Sequence, residues 1–180
     1  MKRIGGLFDS IHTASALSAA AYRAAKGKRE RSEVAGFIDS LPERVAHVGS
    51  QLREGSYRFG SYQSFPIRDP KTRIIHAPSF QDRVVHHAII AATGETFDRG
   101  AIHRSYACRA GLGQHSALNR AAQHVAHAEC FLKVDIAKYY DSVDHDLLRR
   151  ALQRRFRERR LLDLLDRLLD SYHSRPGRGL

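Results

Sequence analysis

Phe131-Leu132-Lys133-Val134-Asp135-Ile136-Ala137-Lys138-Tyr139-Tyr140-Asp141-Ser142-Val143-Asp144-His145 is the most informative stretch of the chain. Residues 130–135 alternate as a strand, with Leu132 and Val134 on one face and Phe131, Lys133 and Asp135 on the other. Such a strand delivers Asp135 to its end, ahead of a tight turn with two adjacent aromatics, Tyr139 and Tyr140. An isolated Asp there is more often a helix cap or a surface charge. The aromatic pair and the Asp141-Ser142-Val143-Asp144-His145 continuation turn the reading towards chemistry. Enzymes that transfer nucleotides place carboxylates at such positions, because two Mg²⁺ ions about 3.5–4 Å apart must hold the attacking and leaving oxygens in line. Hard cations take oxygen ligands, which makes the Asp135 carboxylate the candidate catalytic and metal-binding group and the neighbouring Ile136 carbonyl a further ligand. Asp141, Asp144 and Asp146 open a helix, where acidic side chains complement the dipole, and are read as structural.

Outward from this stretch the chain divides into periodic segments. A helix is expected over residues 9–26, capped by Asp9 or Ser10, its small alanines suited to close packing. Another begins near Ser32, with a break at the capping-box-like Ser40-Leu41-Pro42-Glu43 and an end at Gly55. Residues 57–76 interleave Tyr, Phe and Ile with polar residues around Asp69-Pro70-Lys71-Thr72, the pattern of a β-hairpin with a basic tip. Ser79, with Asp82 three residues on, opens a helix whose apolar side is Val84, Val85, Ala88, Ile89 and Phe97; Asp82 and Arg83 read as helix start and local salt bridge. A glycine-containing loop leads into a helix over residues 114–127, and residues 144–172 read as two Leu- and Arg-rich helices before the turn at Arg175-Pro176-Gly177-Arg178-Gly179.

The charge balance favours a polyanionic partner, since 30 Lys+Arg against 19 Asp+Glu leave a formal +11. No apolar run approaches the roughly twenty residues of a spanning helix, so no membrane partner is expected. Cys108 and Cys130 lie far apart without paired-ligand spacing, which argues against a disulfide scaffold or a zinc module and suits a cytoplasmic location. Eleven histidines, including His86-His87 and His124 with His127, lack Cys or carboxylate partners at ligand spacing and are read as surface or core residues. The arginines between Arg149 and Arg160 either track a phosphate backbone or form a solvated face.

The 131–145 stretch resembles the first palm motif of reverse transcriptases, in which an Asp is followed five positions on by an aromatic, here Tyr140. Arg73 to Ile89, preceded by Phe65-Pro66-Ile67-Arg68-Asp69-Pro70-Lys71, resembles the fingers motif of bacterial reverse transcriptases related to group II introns. Ser105-Tyr106-Ala107-Cys108-Arg109-Ala110-Gly111-Leu112-Gly113-Gln114-His115-Ser116-Ala117-Leu118 is similar to the segment joining fingers to palm, and with Asp82-Arg83-Val84-Val85-His86-His87 it is nearest the diversity-generating retroelement type. The resemblance implies RNA-directed DNA synthesis on two Mg²⁺ ions, with an RNA template, a DNA or RNA primer, deoxynucleoside triphosphates and a possible accessory protein. It implies Tyr140 as a steric gate against the 2′-hydroxyl, and Arg73, with Lys71 and Arg68 behind it, on the triphosphate. Arg109, Gly111, Gly113 and His115 would run against template or primer. The alternative for the hairpin cations is solubility, because edge strands commonly carry Lys and Arg.

The expected fold class is α+β: reverse transcriptase fingers, made of helices plus a β-hairpin, and a partial palm of the right-hand polymerase fold. The expected divisions are an N-terminal helical region 1–55, fingers 56–128 and partial palm 129–180. No Y-x-D-D segment occurs, and Gly179-Leu180 resembles the opening of the next, glycine-led motif. The expectation is therefore a polymerase fragment inactive by itself, with a non-catalytic RNA or RNA–DNA binding module as the alternative, in retroelement mutagenesis or antiviral defence.

Overall fold

The structure is a computed structural model describing residues 2–180. The described residues form eight α-helices and a two-stranded antiparallel sheet, an α+β fold. They divide into two compact units, one made of the chain up to Thr93 together with Lys138–Leu180, the other of Gly94–Ala137.

The first unit holds the hydrophobic core. After a 3₁₀ turn at Phe8–Ser10 come α1 (Ala14–Ala25), α2 (Ser32–Asp39) and α3 (Leu41–Glu54). The cap of α1 is Thr13, whose hydroxyl accepts the Ala16 amide at 3.3 Å; Asp9 and Ser10 are consumed by the 3₁₀ turn and cap nothing. Ala20, Ala21, Ala24 and Ala25 are buried on α1, and α3 approaches closely through Gly49, where an added Cβ would stand 2.7 Å from the His12 carbonyl oxygen. The break before α3 falls at Ser40 as expected, with Pro42 in the first turn, where a missing N–H costs nothing. Ser40 does not cap α3; its hydroxyl donates back to the Gly36 carbonyl at 2.9 Å. Gly55 ends α3 in the left-handed region at φ 73°.

The hairpin is β1 (Gln63–Asp69) with β2 (Lys71–Ala77), in register Asp69 to Lys71 and Phe65 to Ile75. Lys71 and Thr72 already belong to β2, so the reversal is confined to Pro70, which has no N–H to give a ladder. Next, α4 (Phe80–Gly100) starts on reciprocal contacts: the Asp82 amide donates to Ser79 Oγ at 3.1 Å and the Ser79 hydroxyl to Asp82 Oδ2 at 2.8 Å. The Phe80 amide donates to the Glu33 carboxylate, so α2 supplies a second cap. Arg83 pairs with Glu33 at 3.8 Å and not with its neighbour Asp82, correcting the local pair expected from sequence. Val84, Val85, Ala88 and Ile89 are buried, as their spacing predicts.

The unit is closed by α6 (Tyr139–Ser142), α7 (His145–Arg155) and α8 (Arg159–Asp170). Asp144 caps α7, accepting the Leu147 amide at 3.0 Å, and this bond, first among its causes, holds its carboxyl below the ordinary range. Leu161, Leu164, Leu165 and Leu169 put one stripe of α8 into the core. The first residues are stitched to this end of the chain. Ile4 bridges Phe156, and the Leu7 and Phe8 amides donate to Glu158 Oε2 at 2.7 and 3.1 Å.

The second unit contains the end of α4, a loop, α5 (Gln114–Val125) and an extended tail. Residues 130–135 form no strand, against the alternation of their sequence. Phe131, Leu132 and Val134 are 79, 87 and 80% exposed, so neither face of the pattern is covered. Among the described residues no segment pairs with it, and a strand exists only through its ladder.

Candidate nucleic-acid interface

The hairpin is the best-built functional element, and its root explains why. Asp82, 3% exposed, accepts the Tyr57 hydroxyl at 2.7 Å, the Gly60 amide at 3.1 Å and the Ser79 hydroxyl at 2.8 Å. Burial, with the hydrogen bond to Asp82 next, pushes the Tyr57 phenol far up, so it stays a donor. One carboxylate thereby ties the end of α3, the entry to β1 and the start of α4. At the other side of the root, Tyr172 stacks at 5.2 Å on Tyr62 and 5.1 Å on His76, while His76 Nδ1 meets Ser64 Oγ at 2.7 Å.

Directly opposed residues of an antiparallel pair share a face. Phe65, Ile67, Asp69, Lys71, Arg73 and Ile75 therefore lie on one side, and Ser64, Pro66, Arg68, Thr72, Ile74 and His76 on the other. The structure brings Lys71 and Arg73 together and separates both from Arg68. Every residue of β1 is exposed, and so are Lys71 and Arg73. Apolar Phe65 and Ile67 flank the two cations at 43 and 39% exposure, giving a mixed basic and apolar face.

In the second unit Arg109 is turned inward. Its guanidinium donates to the carbonyls of Asp98 at 3.2 Å, Ile102 at 3.3 Å and Ser105 at 3.1 Å, holding the loop beyond α4 in shape. Gly111 at φ 72° and Gly113 at φ 127° occupy backbone conformations other residues rarely adopt, yet a Cβ at either would meet nothing within 4 Å. Their role is conformational, setting the turn into α5, where Gly113 is the cap residue and His115 is exposed in the first turn. Asp135 and Ile136 lie in the exposed tail of this unit.

Tyr140 belongs to the first unit. It is 68% exposed, edge-on to Tyr139 at 5.4 Å, and its carbonyl accepts the Leu180 amide at 3.0 Å. Lys138, just before, takes a left-handed backbone at φ 49°, a strained choice for a side-chain-bearing residue that turns the chain into α6. The arginines of the last helices are unlike one another. Arg149 is shared by Asp146, Asp166 and Asp170; burial opposes its charge, but those carboxylates outweigh it and raise its pKa. Arg160 covers the Phe8 ring at 4.3 Å. Arg150 and Arg154 stand exposed one turn apart on α7.

The Mg²⁺ expectation can be set against the donors present. Asp135 offers one carboxylate and Ile136 a carbonyl, while two ions need several bridging carboxylates. Among the described residues no group of His, Cys, Asp or Glu with metal-holding spacing includes Asp135. The donor set around Asp135 therefore does not fit a two-ion centre.

The chain is similar over much of its length to three proteins. It is 30% identical over 145 residues to "Nuclear intron maturase 1, mitochondrial" of Arabidopsis thaliana, covering 71% of this chain and 20% of that protein. It is 26% identical over 145 residues to "Protein YkfC" of Escherichia coli (strain K12), covering 74% and 38%. It is 23% identical over 124 residues to "Putative COX1/OXI3 intron 1 protein" of Saccharomyces cerevisiae, covering 68% and 15%. The chain thus spans well under half the length of each of these relatives, and no family model matches it. One of these relatives is named an intron maturase and another an intron protein. No helix is long and apolar enough to cross a membrane.

Proposed function

We propose that this chain is the fingers and first palm segment of a reverse-transcriptase-related protein of the intron-maturase kind, and that its function is to hold RNA. The observation that carries the reading is the exposed Lys71–Arg73 face of a hairpin whose root is tied by Asp82. Two cations on a supported strand can follow a phosphate backbone at small entropic cost, and the flanking Phe65 and Ile67 suit unpaired bases. The formal +11 and the maturase relative point the same way. Arg109, with Gly111 and Gly113, shapes the loop that presents His115 and the start of α5, a second surface on which RNA can be held.

Polymerase chemistry is the finer reading, supported by the resemblance of the 131–145 stretch to a first palm motif. In it Asp135 is the catalytic carboxylate, Tyr140 gates the sugar, and Lys71 and Arg73 meet the triphosphate.

The test is RNA binding by fluorescence anisotropy across a salt series. Lys71→Ala/Arg73→Ala should weaken binding and flatten the salt dependence by about 0.7–0.9 in log–log slope per lost phosphate contact. Asp135→Ala should leave affinity unchanged. Affinity insensitive to the double hairpin variant would overturn the reading. Mg²⁺-dependent primer extension abolished by Asp135→Ala would move the function from holding RNA to copying it.

A further inference from the structure

We propose that His145, His173 and Asp170 form a binding site for a divalent transition-metal ion, with Zn²⁺ the ion their donors suit best. A donor nitrogen of each histidine and a carboxylate oxygen of Asp170 all lie within 4.8 Å of one another. The rings of His145 and His173 face each other at 4.9 Å and 33°.

The state of His145 points to a ligand. It is the first residue of α7 and wholly buried, and its Nε2 stands 2.6 Å from the Gly179 carbonyl oxygen. A carbonyl only accepts, so Nε2 carries a proton, and in the neutral ring Nδ1 is the nitrogen with the lone pair. That Nδ1 is buried with no hydrogen-bond partner. A backbone carbonyl fixing one ring nitrogen so that the other can bind metal is the usual outer-shell arrangement of a histidine ligand. Gly179 is held for this task. Its amide donates to the Val143 carbonyl at 2.9 Å, its φ is 102°, and a Cβ there would stand 2.7 Å from the Ser174 nitrogen.

Charge and mobility agree. One guanidinium, Arg149, serves three carboxylates, Asp146, Asp166 and Asp170, so negative charge is in excess beside the cluster. Arg178, another cation of this end of the chain, is paired with Asp144 at 3.8 Å. Arg149 bonds Oδ1 of Asp170, which leaves Oδ2 for a metal. Tetrahedral zinc with bonds of about 2.0–2.1 Å places its ligands about 3.3 Å apart, so the donors need close by no more than about 1.5 Å. Asp170 ends α8 and His173 follows three residues later, both exposed, so they can move onto the buried His145. Three protein ligands leave a fourth position for water. A bound ion would pin the exit of α8 to the start of α7.

The experiment uses the whole chain, stripped with chelator and titrated with Zn²⁺ alone while thermal unfolding is followed, and with Co²⁺ as a spectroscopic probe. The expected result is one equivalent of Co²⁺ with the intense visible absorption of a four-coordinate ion, and a Zn²⁺-dependent rise in Tm. His173→Ala and Asp170→Asn, at exposed positions that need not disturb folding, should each weaken binding at least about tenfold. His124→Ala/His127→Ala should change nothing. Failure to bind, or binding indifferent to His173→Ala and Asp170→Asn, would overturn the proposal; loss on His124→Ala/His127→Ala would assign the ion elsewhere and do the same.

Discussion

Replacing Asp82 by alanine takes away the acceptor on which the hairpin root is assembled. Three donors lose their partner: the Tyr57 hydroxyl, fully buried, the Gly60 amide and the Ser79 hydroxyl. Hydrogen bonds to a charged group contribute about 1.5–3 kcal/mol each, though Gly60 and Ser79 recover part of theirs from water. The Tyr57 hydroxyl, left buried without a partner, adds a desolvation cost of about 1–3 kcal/mol, so the expected loss for Asp82→Ala is about 3–5 kcal/mol. With an m-value of about 2 kcal/mol/M, the urea midpoint should fall by roughly 1.5–2.5 M. Tyr57→Phe alone should cost about 1.5–3 kcal/mol. The two changes together should cost no more than Asp82→Ala alone, because the phenol of the single variant is a buried orphan that phenylalanine eliminates. Four urea curves read by circular dichroism close the cycle. Additive costs, within about 0.5 kcal/mol, would refute the claim that Asp82 and Tyr57 act as one unit.

Gly49→Ala should lower Tm despite its better helix propensity, since its Cβ would meet the His12 carbonyl at 2.7 Å and overpacking costs about 1–3 kcal/mol. Gly36→Ala, on α2 with nothing within 4 Å, should instead raise stability by up to about 1 kcal/mol in the same melt. Burial, followed by the charges of His87 and Arg83 against an opposing Asp82, holds the His86 imidazole below its ordinary 6.5. The unfolded chain then takes up this proton at higher pH than the folded one, so stability is full above 6.5 and falls as pH drops below it. His86→Gln should flatten that slope in denaturation curves collected across the interval.

How much was legible depended on whether the cause was local. The hairpin could be read because Pro70 and its neighbours carry turn chemistry, and the α2–α3 break because Pro42 suits a first helical turn. The caps that failed were displaced by nearby competitors: Thr13 caps α1 once Asp9 and Ser10 enter a 3₁₀ turn, and Ser40 bonds backwards to Gly36. Other contacts had no sequence signal, since Glu33 reaches Phe80 across 47 residues and Glu158 reaches Phe8 across 150. The 130–135 alternation misled because period two states which faces a strand would have, not that a partner is there to pair with it. Of the candidate site, the hairpin cations were found by position, but their division into Lys71 with Arg73 on one face and Arg68 on the other needed the register. His145 carries no ligand signal in sequence, because Asp170 and His173 come only at and after the end of α8, the helix beyond the one it opens.

The stitching of Ile4, Leu7 and Phe8 to Phe156 and Glu158 bears on how the chain is made. A ribosome delivers the first helices long before the last, and the Leu7 and Phe8 amides gain their acceptor only when Glu158 has emerged. Folding from the N-terminus during synthesis can bring α1 onto α3 early, whereas the seam between Ile4–Phe8 and Phe156–Glu158 closes last. Such sequence-distant closure slows the final step and makes the nascent chain a natural client for a chaperone.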